Sequence, residues 1–520
     1  MTAVTSDVRM VVTMAGSDNR RWWALGALVL CVLTLGLDVT ILNVALPTVA
    51  ADLAVGTGVL QWIVNAYVLL FAGLMLPAGA LGDRYGRRRL LLLGLAVFGA
   101  ASLAAAWADS AAALIAVRAV MGAGAAIIMP IVLAVLTVLF DERERGKAVS
   151  LVVVGIGVGL PLGPIVGGWL LQHFWWGSIF LINVPVVAIA MVALVVLLPE
   201  SRDPHPAAAD IAGGVLSTAG LVALVYGIVE APARGWGHLL VLAAFAAAAV
   251  LLAAFVAWQL RTLQPMIDLR LFRNAQFAWG TGAATFATFA MFGLLFTLPQ
   301  YLQFVHGYDA FGTGLRLLPL IAGIVVGAPL AQQLAARTSY RLPVAAGLLL
   351  AALGLGIGAT TDASSGYGFV AGWLMIAGFG TGMSLTPAMD AVLAVLPPQR
   401  AGSGTALTMA LRQVAGALGV ALLGSLLAAG YTSRLDTTAL SAPLAEQAGD
   451  SITAALAIAA RTGDTALTLN AQNAFVHGMA LALAASAAVA AIAAALSAAF
   501  LPGRPGRPDP AATAADTSTA

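Results

Sequence analysis

The sequence predicts an all-α membrane protein of fourteen transmembrane helices, arranged six, two and six, with both termini cytoplasmic. Composition, the recurrence of long apolar stretches and the placement of arginine carry that prediction. Of 520 residues, 61% are apolar and only 9% charged, against roughly 25% charged in an ordinary globular protein. A soluble domain needs a charged surface to face water, and this chain does not supply one. Stretches of about twenty apolar residues recur from end to end, each long enough to cross a ~30 Å hydrocarbon core as a helix.

Taken in order, residues 1–22 are polar and mixed in charge and read as a cytoplasmic tail rather than a signal peptide. A first bundle, 23–199, holds spans near 23–46, 59–80, 90–107, 111–134, 148–171 and 177–198. Two linker spans, near 211–229 and 238–258, lie within residues 200–273. A second bundle, 274–500, holds spans near 277–299, 314–335, 343–360, 367–390, 402–428 and 474–500. Its long outer loop, 429–473, has room for a short alanine-rich surface helix, and the Pro/Gly/Ala-rich tail 501–520 reads as disordered and cytoplasmic.

Positive charge is retained on the cytoplasmic side of a membrane protein. With both termini inside, the inner segments hold 19 of the 25 Lys+Arg, among them Arg84, Arg87, Arg88, Arg89, Arg143, Arg145, Lys147, Arg270, Arg273, Arg337 and Arg341. The outer loops hold Arg234, Arg434 and Arg461, and carry acids such as Asp52, Asp109, Asp309 and Asp362. A missed or invented span would scramble this asymmetry.

The same counts exclude other classes. One cysteine, Cys31, allows no internal disulfide and no cysteine metal site, and the five histidines show no ligand spacing. No metal site and no cofactor are expected. A net charge of +2 gives no footprint for nucleic acid. No catalytic constellation or soluble domain suggests an enzyme, and no GxxxxGK[ST] loop suggests ATP as energy source.

An internal repeat organises the chain. At an offset of 253 residues, Leu81, Arg84, Arg88 and Gly94 recur as Leu334, Arg337, Arg341 and Gly347. At an offset of 256, Gly146, Gly163 and Gly168 map to Gly402, Gly419 and Gly424. Two related six-helix bundles separated by an inserted pair account for both offsets. Such repeats are a transporter architecture, with substrate bound near the midplane where the repeats meet.

Several strings carry chemistry. The loop after the second span contains Gly79, Asp83, Arg84, Gly86, Arg87 and Arg88. Its glycines permit a tight connection between antiparallel helices, and Asp83 is placed to cap a helix or pair with the arginines, as a gate latch. The plainer account is a basic, topogenic loop. The fourth span buries Arg118, near Gly122 and Gly124; an arginine in hydrocarbon costs roughly 3 kcal/mol or more, so it needs a cavity and a partner unless it snorkels to the interface. In the fifth span Gly155, Gly159, Gly163 and Gly167 recur every four residues, with Pro161, Pro164 and Gly168 among them. One helix face is thereby bare backbone, suited to close approach by a neighbour.

These strings resemble signatures of the major facilitator superfamily. The loop around Asp83 resembles its loop motif, the stretch around Arg118 its intramembrane-arginine motif, and the run Gly159–Gly168 the motif that marks antiporters. The first span, with Asp38, Thr40, Asn43 and Pro47, is similar to the signature of the fourteen-helix drug:proton antiporter family. Trp62 and Tyr67, the run from Phe180 through Asn183 to Pro185, Gln300 with Tyr301 and Gln303, and Arg412 with Gln413 and Gly416 resemble it too. The second-half copy of the loop departs from the pattern, with Ala336 in place of the acid. The resemblance implies a major-facilitator fold and export of lipophilic drugs, cationic ones included.

Depth suggests where a proton is handled. Asp38 lies ~22–24 Å into a span that starts inside, and Arg118 ~10 Å into one that starts outside, at ~1.5 Å per residue. Both then lie in the outer half of a ~30 Å core, so an Asp38–Arg118 pair is geometrically allowed. Desolvation favours a neutral carboxyl whereas a nearby guanidinium favours the ionised form, so a carboxylate that exchanges partners can bind and release a proton. A structural pair or a helix cap is the alternative. Asn43, Gln61, Asn65, Asn183, Gln300, Gln303 and Arg412 are candidate cavity-lining groups, although interhelical hydrogen bonding accounts for the amides equally well.

The expected function is proton-driven antiport of a lipophilic drug or secreted metabolite across the cytoplasmic (inner) membrane, by a monomer embedded in the bilayer. Its partners are the small molecule, protons and lipid; nucleic acid is not one. A proton symporter of a nutrient or peptide, and a membrane sensor or receptor, are the rival readings.

Overall fold

The computed structural model describes residues 18–202, 210–262, 265, 269–396 and 401–503. Its membrane-length helices are α1 (Asp18–Asp52), α2 (Thr57–Tyr85), α3 (Arg87–Ala106), α4 (Ala111–Leu139), α5 (Glu142–His173), α6 (Ser178–Leu197) and α7 (Ile211–Arg234). They continue with α8 (Leu239–Arg261), α9 (Ala275–Phe304), α10 (Ala310–Arg337), α11 (Arg341–Gly358), α12 (Tyr367–Ala394), α13 (Ala401–Arg434) and α14 (Thr465–Phe500). Among the described residues, 13 helices are long and apolar enough to cross a membrane; α5, 32 residues long, covers the fifth expected span. The expected tail 1–22 contributes its last residues to α1. The expectation of a disordered tail over 501–520 falls almost wholly outside the described residues.

Local chemistry fixes the ends of several helices. Ser110 accepts from the Ala113 amide at the start of α4, Asn274 from Gln276 and Phe277 at the start of α9, and Asp464 from Leu467 at the start of α14. Each satisfies amides that a first turn leaves without an intrahelical acceptor. The long outer loop contains two short helices rather than one, Ala442–Asp450 and Ile452–Thr462. The second ends at Gly463 in the left-handed region, φ 71°, as C-terminal caps require. Helices α13 and α14 extend beyond the apolar limits read from sequence, because a helix continues past the hydrocarbon wherever its backbone remains hydrogen-bonded.

The chain divides into two compact units. The first comprises residues Met1–Leu53, Trp62–Ala219 and Tyr308–Gly314; the second comprises Ala54–Gln61, Gly220–Gly307 and Leu315–Ala520. Within the first, α1 packs along α5 and α3 along α4; within the second, α9 packs along α13 and α11 along α12. The same partnerships thus recur at an interval of eight helices. The glycine matches keep the same role. Gly163 of α5 lies against the α1 backbone at Leu37 and Ile41, and Gly419 of α13 lies against the Phe289 carbonyl of α9.

Candidate functional site

In the first unit, Asp38 of α1 and Arg118 of α4 form an ion pair, Nη1 to Oδ2 at 2.7 Å. The two residues are 0% and 1% exposed. A charge removed from water this completely demands compensation on every side, and both partners receive it. Arg118 Nε donates to the Ile63 carbonyl at 3.4 Å, and its guanidinium carbon lies 4.3 Å from the centre of the Tyr67 ring and 5.9 Å from that of Phe180. Asn183 of α6 donates to the other Asp38 oxygen at 3.3 Å and to Ser102 of α3 at 3.4 Å. Helices α1, α4 and α6 therefore meet at one carboxylate, and α2 and α3 hold the two side chains that bind it. Sequence reasoning named Asp38, Arg118 and Asn183, but not Ser102 or the Ile63 carbonyl. A serine amid alanines and a backbone oxygen give no sequence signal.

The glycine face of α5 explains how α1 is held. A methyl group at Gly155 would meet the Val29 side chain at 2.8 Å, and one at Gly159 would lie 2.7 Å from the Leu33 carbonyl oxygen and 2.9 Å from the Leu37 amide. At Gly163 it would meet Thr40, with the Ile41 amide and the Leu37 carbonyl both at 2.9 Å. At Gly167 it would meet Ile41. These contacts run along α1 from Val29 to Ile41 and bracket Asp38. Gly168 abuts the backbone of Ala310 and Phe311, and Pro164 is buried where Gly314 crosses its carbonyl. The antiporter-like string is thus the seat on which the carboxylate-bearing helix rests.

At the junction of α2 and α3, Asp83 accepts from Arg87 Nε at 2.9 Å and Nη2 at 2.8 Å. Gly86 turns the chain at φ 116°, a conformation open to glycine at little cost. Gly79 and Gly82 face Pro130 and Ile131 of α4. Arg84 lies over the Tyr85 ring, 5.7 Å from its centre. The loop has a partner that sequence reasoning missed. Glu200, just beyond α6, accepts from the Arg88 amide at 3.1 Å, lies 3.6 Å from Arg89 Nε, and so caps α3 from another segment. Arg88 Nη2 donates to the Val195 carbonyl, and the Arg87 amide to Ser201 at 2.9 Å. The sequence signal was an acid immediately after the sixth span, opposite a run of arginines.

The other named polar groups have different surroundings. Asn43 donates back to Val39 of its own helix at 3.0 Å and Gln300 to Phe296 at 2.8 Å. Gln61, which belongs to the second unit, donates to the Ala421 carbonyl at 3.3 Å. Asn65 is fully buried, with neither amide atom hydrogen-bonded among the described residues. Gln303 is partly exposed near the end of α9. Arg412 of α13 donates from Nε to Thr288 Oγ1 at 3.0 Å.

The chain has clear relatives. The Major Facilitator Superfamily model matches residues 28–420. The tetracenomycin C resistance and export protein of Streptomyces glaucescens is 35% identical over 415 residues, 80% of this chain and 77% of the relative. The methyl viologen resistance protein SmvA of Salmonella typhimurium is 34% identical over 478 residues, 90% of this chain and 96% of the relative. Among solved structures, a bacterial homologue of the human lysosomal transporter Spinster matches with a TM-score of 0.68 at 19% identity, over 95% of this chain and 100% of that one. That last likeness is one of fold.

Proposed function

The chain belongs to the major facilitator superfamily, a family of transporters, and from that premise we propose that it is a proton-coupled antiporter exporting lipophilic drugs or antibiotics across the cytoplasmic membrane by alternating access. Its relatives are named for tetracenomycin C resistance and export, methyl viologen resistance, puromycin resistance and cephamycin export, which supports drug export. The observation that carries the coupling is the sealed Asp38–Arg118 pair.

The geometry suits proton exchange. While Asp38 is ionised, the pair is neutral overall and Asn183 stabilises the second carboxylate oxygen. When Asp38 takes a proton the ionic attraction lapses, but the guanidinium keeps the Ile63 carbonyl and the face of Tyr67. A cation resting on an aromatic face is stabilised by roughly 0.5–2 kcal/mol. Arg118 thus keeps polar and aromatic partners while α1 shifts on its glycine seat. The junction held by Asp83, Arg87 and Glu200 serves as the latch in this reading. Its bonds are exposed or half-buried, and exposed ion pairs contribute only about 0–1 kcal/mol each, weak enough to break in a transport cycle.

Inverted vesicles energised acidic inside test the proposal, with drugs of opposite charge added to wild type and Asp38→Asn. Drug-evoked loss of the pH gradient in wild type alone supports antiport through Asp38. Equal loss in both removes Asp38 from the coupling path. Accumulation of compound with protons moving in the same direction replaces antiport with symport.

A further inference from the structure

Arg412 differs from Arg118 in having no counter-charge among the described residues. It is the twelfth residue of the 34-residue α13, level with Thr288, the fourteenth residue of the 30-residue α9, so it lies deep along both helices. Neither helix contains an acid, and in α9–α14 the sequence has one, Asp390, four residues from the end of α12 and engaged with Gln332. Among the described residues no carboxylate lies within 4 Å of Arg412, and its only hydrogen bond is from Nε. The Nη1 and Nη2 groups are unbonded, yet they are not sealed in the protein interior, and the residue is partly exposed.

The surroundings are arranged to hold that guanidinium rather than to neutralise it. Thr288 gives its own proton to the Ala284 carbonyl at 2.8 Å, so its lone pair is turned to Arg412 Nε. Four N–H donors in a planar fork therefore remain for something else, the geometry that carboxylates match with two parallel bonds. On the same side of α9, Thr281 bonds Thr408 of α13 at 3.1 Å. Between Thr281 and Thr288 along that strip lies Thr285, whose hydroxyl is buried with no hydrogen-bond partner among the described residues. An uncompensated cation deep in a membrane is costly and by default marks a functional site.

We propose that Arg412, with Thr288 holding it and Thr285 beside it, is an anion subsite that takes a carboxylate or ionised phenol of the transported molecule. The inference rests on the export reading and narrows its substrate class: compounds with an anionic group on a lipophilic body, with or without a cationic group elsewhere. Inorganic chloride offers the same charge without two parallel acceptors.

The test is equilibrium binding of 1-naphthoate and its neutral isostere 1-naphthamide to the full-length protein in nanodiscs. Wild type is expected to bind the carboxylate at least about tenfold more tightly, the order expected of charge-assisted hydrogen bonds. Arg412→Gln abolishes the preference, Arg412→Lys retains part of it, and Thr288→Val, similar in shape, weakens it. The two milder variants keep the test decisive if Arg412→Gln fails to fold. Equal or absent binding of the two probes by wild type, or a preference that survives in Arg412→Gln, overturns the proposal. Chloride displacing naphthoate at equal concentration also overturns it, in favour of an inorganic-ion site. Drug-evoked proton movement that persists without a naphthoate preference would defeat this inference and leave the export reading standing. An Arg412-dependent preference without any drug-evoked proton movement would do the reverse.

Discussion

Replacing Gly159 by alanine tests whether the glycine face of α5 seats α1. The added methyl would lie 2.7 Å from the Leu33 carbonyl oxygen, 2.9 Å from the Leu37 amide and 3.1 Å from the Gly36 carbonyl carbon. Ordinary contact begins near 3.4 Å, and all three neighbours are backbone, which has no rotamer to yield. The helices must therefore part by roughly 0.5–1 Å at this crossing, a gap that forfeits a quarter to a half of each affected contact. Overpacking of this kind costs about 1–3 kcal/mol, and alanine's better helix propensity returns about 1 kcal/mol. The expected net loss is about 0–2 kcal/mol, up to roughly a thirtyfold fall in the ratio of folded to unfolded protein. Gly26 on α1 is the control, since nothing among the described residues lies within 4 Å of a methyl there; Gly26→Ala is expected to be neutral or stabilising by up to about 1 kcal/mol. The assay is SDS-induced unfolding in mixed micelles, followed by circular dichroism. If Gly159→Ala unfolds at an SDS fraction as high as that of Gly26→Ala, which gains the same helix propensity, the close-packed seat is wrong.

Two further outcomes concern the loops. Gly86→Ala would combine a positive φ of 116° with a methyl 2.7 Å from Glu200 Oε1; it should destabilise the α2–α3 junction by about 1–3 kcal/mol and speed proteolysis there, whereas unchanged cleavage would contradict the cap assigned to Glu200. His306, just beyond α9, is held below the ordinary imidazole value of 6.5, first by burial and then by the charge of Arg316. The unfolded chain then takes up a proton at a higher pH than the native state does. Its contribution to stability is undiminished above about pH 6.5 and falls as the pH drops from there through the depressed native value. Melting curves at pH 7.5 and 5 should show a smaller acid loss in His306→Gln than in wild type, and an equal loss would remove His306 from the account.

Much was legible in the sequence because membrane insertion is a local, additive property. Twenty apolar residues make a span wherever they occur. The glycines of α5 announced a bare face by their spacing alone, and depth counting set Asp38 and Arg118 at compatible levels. Spacing along a helix, however, does not say which neighbour its face meets. Asp38 and Arg118 are 80 residues apart, and only the packing of α1 against α4, α5 and α6 turned compatible depths into a 2.7 Å contact with Asn183 on its far side.

The same limit accounts for what was missed. Glu200 was given no role from the sequence, and only the fold brings it to the start of α3, 112 residues from Arg88. Asn65 and Arg412 looked alike as polar residues within spans, yet among the described residues one is sealed without a partner and the other remains partly exposed with four free donors. The sequence by itself determined that this chain lives in a membrane, which family its helices follow and where its costly charges fall. The tertiary structure alone decided which charges are neutralised, because neutralisation depends on ångström distances between helix faces, and hydropathy carries no information about those.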